Sequence, residues 1–217
     1  MKMQSNFLYA LSLFMMTSFG IVSAQSSTVV GPEFGIKGGV NMSNLYSDSD
    51  EINDENVLWG FNAGVYAAFP IADNIFIQPE ILYTTKGAEL DYDFAGVEGT
   101  SKFKLGYVEV PLLVRFNLTE NFNIHVGGYA SYLVDAKTKG EGDVEFEDEY
   151  DADDFERFDA GLSAGVGVDF NPISIGLRYN YGLTTIGKER DAGFGNTVTF
   201  PDVKNSNLTL YLAYKLN

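Results

Sequence analysis

The chain has 217 residues with 30 acidic against 14 basic side chains, a formal net charge of −16, and no cysteine. So acidic a chain is excluded as a nucleic-acid binder, because phosphate contacts need a basic surface, and as a protein that docks on anionic lipid through a basic face. Without cysteine there is no disulfide framework and no lipidated N-terminal cysteine.

Residues 1–24 read as a signal peptide. Lys2 is the early charge, Phe7 to Ile21 is largely apolar, and Val22-Ser23-Ala24 fits a small-residue cleavage motif before Gln25. The apolar run is short for a spanning helix and is interrupted by Ser12, Thr17 and Ser18. Residues 25–217 then form one domain of about 193 residues. No later stretch approaches the roughly 20 apolar residues of a spanning helix. A closed barrel is the other structure that crosses a bilayer with every backbone group paired.

Eight segments alternate with a period of two, which predicts strands. The first, Glu33 to Ser43, sets Phe34, Ile36, Val40 and Met42 against Gly35, Lys37, Gly39 and Asn41. The second, Leu58 to Phe69, opposes Trp59, Phe61, Val65 and Phe69 to Gly60, Asn62, Gly64 and Tyr66. In the third, Ile75 to Gly87, Ile77, Ile81 and Tyr83 oppose Gln78, Glu80, Thr84 and Lys86. Proline removes a ladder donor, so Pro79 predicts a bulge or bend, with Pro111 a second such site. The stretch Gly106 to Val134 predicts a hairpin. Val108, Val110, Leu112, Val114 and Phe116 lie opposite Tyr107, Glu109, Pro111, Leu113 and Arg115. After the turn, Ile124, Val126, Ala130 and Tyr132 lie opposite His125, Tyr129, Ser131 and Leu133.

The sixth segment, Phe158 to Phe170, opposes Leu162, Ala164, Val166 and Val168 to Asp159, Ser163, Gly165 and Asp169. The seventh, Ser174 to Leu183, opposes Ile175, Leu177, Tyr179 and Tyr181 to Gly176, Arg178 and Asn180. The eighth, Ser206 to Asn217, opposes Leu208, Leu210, Leu212 and Tyr214 to Asn207, Thr209, Tyr211 and Lys215. Connections alternate long and short, with long loops over residues 44–57, 88–101, 135–156 and 184–205. That alternation predicts an all-β, eight-stranded antiparallel up-and-down transmembrane barrel, with tight periplasmic turns and long acidic outer loops. Phe34, Phe69, Phe116, Phe170 and Tyr214 form one aromatic ring, and Trp59, Tyr83, Tyr132, Phe158 and Tyr181 another, as expected where rings meet headgroups. A soluble lipocalin-type barrel would need an apolar interior. Here the charged face lies opposite the aromatic-ringed one.

GIKGGVNMSNL (Gly35 to Leu45), YVEVPLLVRF (Tyr107 to Phe116), GGYASYLV (Gly127 to Val134), FDAGLSAGVGVDF (Phe158 to Phe170) and LRYNYGLTTI (Leu177 to Ile186) resemble the PorT-like outer-membrane β-barrel family of Gram-negative bacteria. The resemblance spans nearly the whole mature chain. It implies an outer-membrane barrel, and one branch of that family is tied to protein secretion. Such barrels often end in an aromatic residue, whereas this chain ends Tyr214-Lys215-Leu216-Asn217.

The inward face carries Lys37, Lys86, Arg115, Arg178 and Lys215 against Glu80, Glu109, Asp159 and Asp169. A paired network that satisfies the interior is expected, because unpaired buried charge is costly. An eight-stranded barrel is just wide enough for side chains to fill, so little or no conductance is expected. His125 with Ser131 or Glu109 is the one catalytic combination the residues suggest. It sits near the periplasmic rim, and a filler histidine is the expectation. The run Asp148 to Glu156 clusters carboxylates but lacks the glycine and spacing of the helical calcium loop.

The four loops hold 23 of the 30 acids and only five bases. Glu145, Glu147, Asp148, Glu149, Asp151, Asp153 and Asp154 mark a candidate interaction patch in the third loop. The field there attracts a basic protein or a divalent cation. The expected protein is a non-enzymatic structural or surface-interaction module of the outer membrane without cofactor, in contact with outer-membrane lipid and lipopolysaccharide. An accessory of a secretion or transport apparatus is the second reading, and an outer-membrane lipid hydrolase the third.

Overall fold

The computed structural model describes residues 31–47, 55–94, 97–142, 146–149, 156–186, 189–191, 197–199 and 203–217; the predicted signal peptide lies outside them. Twelve strands follow in chain order: β1 (Glu33–Ser47), β2 (Glu55–Asn56), β3 (Leu58–Ala72), β4 (Ile75–Phe94), β5 (Val97–Asn117), β6 (Phe122–Gly142), β7 (Phe146–Glu149), β8 (Phe158–Phe170), β9 (Ile173–Gly182), β10 (Glu189–Asp191), β11 (Thr197–Thr199) and β12 (Val203–Lys215). Eight of them, β1, β3, β4, β5, β6, β8, β9 and β12, pair antiparallel with their neighbours around a closed circuit, with β4–β5 and β1–β12 completing the ring. Closure removes every sheet edge within the barrel, which is the condition for placing strands in lipid.

The period-two reading holds along all eight strands. Lys37, Asn62, Glu80, Glu109, His125, Asp159, Arg178 and Asn207 are buried inside. Ile36, Phe61, Ile81, Leu112, Val126, Val166, Leu177 and Leu212 are exposed on the outer wall. Phe34, Phe69, Phe170 and Tyr214 stand exposed at one end of this apolar band, and Trp59, Tyr132, Phe158 and Tyr181 at the other. Phe34 meets Phe69 edge-on at 6.1 Å.

Three expectations are corrected. Residues 88–94 and 97–101 are β-structure rather than loop: Ala88 pairs Phe103 and the ladder runs on to Phe94↔Val97. Similarly, β6 continues to Gly142 and carries β7 on its flank, while β10 and β11 pair within the fourth long connection. The wall therefore extends well past the apolar band. The third correction is at Pro79, where no register shift occurs. The ladders simply lapse where Pro79 and Pro111 would pair with Ala67 and Glu80, then resume in the same register. The register shifts fall instead at Pro70/Ala72 and at Gly106/Tyr107.

The seam between first and last strands runs from Gly35↔Lys215 to Ser47↔Val203. Below it the side chain of Asn217 accepts from Phe34 N at 2.8 Å and donates to Pro32 O at 2.9 Å.

Candidate functional site

The inward side chains form three ionic layers. At the periplasmic rim, Arg115 reaches Glu33 and Asp169, each at 3.1 Å, and Lys215 reaches Glu33 at 3.2 Å. Asp169 also accepts from Asn123 Nδ2 at 2.8 Å and Ser174 Oγ at 2.6 Å. Glu33 is a residue that the sequence reading missed. It shares the parity of Lys37, and with it five inward cations meet five inward anions.

The middle layer centres on Glu80, which is 1% exposed. Arg178 donates to both its oxygens at 2.7 Å, a fork that matches carboxylate geometry. Gln78 Nε2 donates at 2.7 Å and Lys37 Nζ at 3.1 Å. Tyr211 lies beneath, its ring centroid 3.6 Å from Lys37 Nζ and 5.6 Å from the Arg178 guanidinium.

The outer layer centres on Lys86, held by Glu109 at 2.7 Å and Asp159 at 3.1 Å. Its ammonium also lies 4.3 Å from the Tyr129 ring centroid. Asp159 gathers further donors: Ser131 Oγ at 3.3 Å, Thr184 Oγ1 at 3.1 Å and Asn205 Nδ2 at 3.0 Å. Buried charges survive only when paired and hydrogen-bonded in this manner.

Small residues make room for these large ones. Gly165 of β8 lies directly against the His125 ring, and Gly176 of β9 against the Tyr211 ring, so that a Cβ at either position would collide. Two cavities among these side chains measure about 10 and 20 Å³. That is room for a water or two, not for a hydrated ion.

His125 is not joined to Ser131. Its Nε2 lies 3.3 Å from the donating Arg178 Nε, and its Nδ1 lies 3.3 Å from Asn123 Oδ1. Since Arg178 only donates, Nε2 is the acceptor and Nδ1 carries the proton. The ring nitrogen a general base would use is thus engaged, and the Ser131 hydroxyl belongs to Asp159.

Above the ionic layers the lumen turns apolar. Leu105, Tyr107, Leu133, Ala136 and Ile186 pack together, flanked by Leu45 and Val203. Ile186 is drawn in from the fourth long connection by bonds from its N to Val203 O at 2.9 Å and from Glu156 N to its O at 3.4 Å. No periodicity marks Ile186 in the sequence.

Of the acidic patch, Glu147, Asp148 and Glu149 lie in β7, where the register sets Glu147 opposite Lys139 and Glu149 opposite Lys137. Glu145, Asp151, Asp153 and Asp154 lie outside the described residues. Among the described residues no group of three or more acidic, His or Cys side chains is placed to hold a metal ion.

The family model described as outer membrane protein beta-barrel domain matches residues 23–187. Among solved structures the chain is similar to Ail, the attachment invasion locus protein of Yersinia pestis, solved with the heparin analogue sucrose octasulfate: 17% identity, 86% of this chain and 100% of that one, TM-score 0.45. It is similar to the Neisserial surface protein A at 16% identity, over 86% of this chain and 99% of that one, TM-score 0.49. It is similar to the outer membrane protease OmpT of Escherichia coli at 10% identity, over 89% of this chain and 99% of that one, TM-score 0.42. Comparison with curated proteins yields no match.

Proposed function

The chain belongs to the outer membrane protein β-barrel domain family and resides in the outer membrane, and from that premise we propose that it is a non-catalytic structural and surface-interaction module. The observation that carries this reading is the filled lumen. Three ionic layers and an apolar cap occupy the interior. The barrel then acts as an anchor, in contact with lipid and lipopolysaccharide around its apolar band, and it presents the outer β-extension and its loops. The loops' acid excess selects basic proteins or divalent cations as their partners.

Two measurements test this. Reconstituted in planar bilayers, the protein gives no steady conductance; a reproducible open level would remove the anchor model. Crosslinking on intact cells captures a basic partner, and replacing Glu145, Glu147, Asp148 and Glu149 by Ser weakens that capture, or weakens calcium binding, without changing heat-modifiable gel mobility. Equal capture and equal calcium binding by the substituted protein would leave the loop as solvated filler. The resemblance to the PorT-like branch supports a narrower second reading, an accessory of a secretion or transport apparatus. Co-purification with other envelope proteins of such an apparatus is its signature.

A further inference from the structure

We propose that the cavity between the middle and outer ionic layers binds one water molecule, held by the side-chain carbonyl oxygens of Asn62 and Asn207. The cavity measures about 10 Å³ and is lined by Lys37, Asn62, Thr84, Glu109, Arg178 and Asn207 among others. A space of that size takes a single water, and a polar lining is what retains it.

The hydrogen-bond chain around Asn41 decides which atoms face the cavity. Asn41 Nδ2 donates to the backbone carbonyls of Phe61 and Thr85, both at 3.1 Å. Backbone carbonyls only accept, so the Asn41 amide has one allowed orientation and its Oδ1 is an acceptor. That oxygen takes Asn62 Nδ2 at 2.7 Å and Thr209 Oγ1 at 2.9 Å. With its proton committed there, Thr209 accepts from Asn207 Nδ2 at 3.2 Å.

Asn62 Oδ1 and Asn207 Oδ1 are then left as buried acceptors with no protein donor. Their residues are 4% and 2% exposed, and both line the cavity. Turning either amide over offers no escape. It would set the Asn62 oxygen against Asn41 Oδ1, or the Asn207 oxygen against a hydroxyl oxygen whose proton points elsewhere. Two buried acceptors on residues that line one small space call for a ligand with two protons to give.

The same lining decides the ligand's charge. Lys37 and Arg178 stand at the cavity against the single carboxylate of Glu109, so the lining keeps a net positive charge that disfavours a metal ion or ammonium. Water is neutral, fits, and donates twice. Lys37 has three ammonium protons, and among the described residues Glu80 is the carboxylate within ion-pair distance of it; a proton not engaged by Glu80 is available to the water's oxygen. The bound water joins the Glu80 layer, through Lys37, to the amide chain of Asn41, Asn62, Thr209 and Asn207.

The test is a crystal structure of the refolded protein at a resolution that shows ordered solvent, with water–amide cross-peaks measured by NMR in nanodiscs. The expected result is one density peak within hydrogen-bond distance of both Asn62 Oδ1 and Asn207 Oδ1, and a long-lived water cross-peak to both side-chain amides. Asn207→Leu fills the space, and that cross-peak is lost at Asn62. Should Asn207→Leu fail to fold, Asn207→Ser, which keeps room and polarity, retains the peak. No density between the two oxygens in the parent protein, or a protein donor such as the Thr84 hydroxyl bonded to them instead, overturns the proposal.

Discussion

The lower and upper parts of this barrel wall are built from the same strands with opposite chemistry. In the membrane band, β4 faces Gln78, Glu80, Thr84 and Lys86 inward, and Ile77, Ile81 and Tyr83 outward. Higher on the same strand the inward position is Ala88, buried and apolar, while Glu89 stands half-buried on the opposite face. Parity is unchanged, yet here the inward side chain is apolar. The changeover lies at Gly87, whose φ of 145° suits glycine alone. On β5 and β6 it lies at the register shift between Gly106 and Tyr107. There Leu133 and Ala136 both point inward although three residues apart, and Lys104 and Lys137 are exposed. The bulge resets the parity of β6. Where the solvent changes from lipid to water, the wall changes from a membrane barrel to a soluble one. The lesson is that orientation follows the medium, while pairing follows the backbone.

Breaking each half separately sharpens that contrast. The largest effect is expected from Glu80→Ala, which strands Lys37 and Arg178 without their carboxylate. Removing one partner of a buried pair costs about 3–5 kcal/mol, read as a lower urea midpoint in refolding from lipid vesicles. A loss under about 1 kcal/mol would mean that the middle layer is solvated. Next comes Leu112→Arg in the lipid band, about 2–4 kcal/mol. The matched change above the changeover, Lys104→Leu, should shift the midpoint by less than about 0.5 kcal/mol, as surface substitutions do. If the two were equal, the membrane boundary would be misplaced.

Leu105→Ala tests the apolar cap. A buried Leu→Ala change costs upward of about 2 kcal/mol, and the low end applies near a barrel mouth that can relax. The readout is faster proteolysis of the outer extension at unchanged gel mobility of the barrel. Smallest is Glu147→Ser at the paired Glu147↔Lys139 position, at most about 1 kcal/mol and screened by salt. A larger, salt-insensitive loss there would make the outer extension a buried assembly.

The contrast also explains what could be read from the sequence. Lipid imposes one strict pattern, so period two placed every inward charge from Lys37 to Lys215 on the correct face. Residues 88–94 also alternate with period two, as Ala88, Leu90, Tyr92, Phe94 against Glu89, Asp91, Asp93. Their acids read as the mark of a loop, when they mark a strand leaving the membrane. Glu33 was legible from parity alone, sitting two positions before Gly35 and four before Lys37. Ile186 was not: its position depends on backbone bonds to Val203 and Glu156, contacts that no local pattern encodes. The amide chain through Asn41, Asn62, Asn207 and Thr209 lay on the inward face as expected. Its order depends on which strands become neighbours, and so on closure.

Closure itself has a kinetic consequence. Every other pair of adjacent wall strands is joined by a local connection, but the seam unites β1 with β12, and the bonds at its foot link residues 183 and 185 positions apart. Joining such distant segments carries the largest loop-closure entropy in the molecule, and long-range pairing of this kind slows folding. Until it forms, β1 and β12 each carry a row of unpaired backbone groups that hydrocarbon will not solvate. The seam is therefore the step that couples completion of the fold to entry into the bilayer. A strand-weakening change at Val40 or Leu210, which pair across it, should slow insertion more than the same change at Val166↔Leu177, where the two strands are already joined by a short turn.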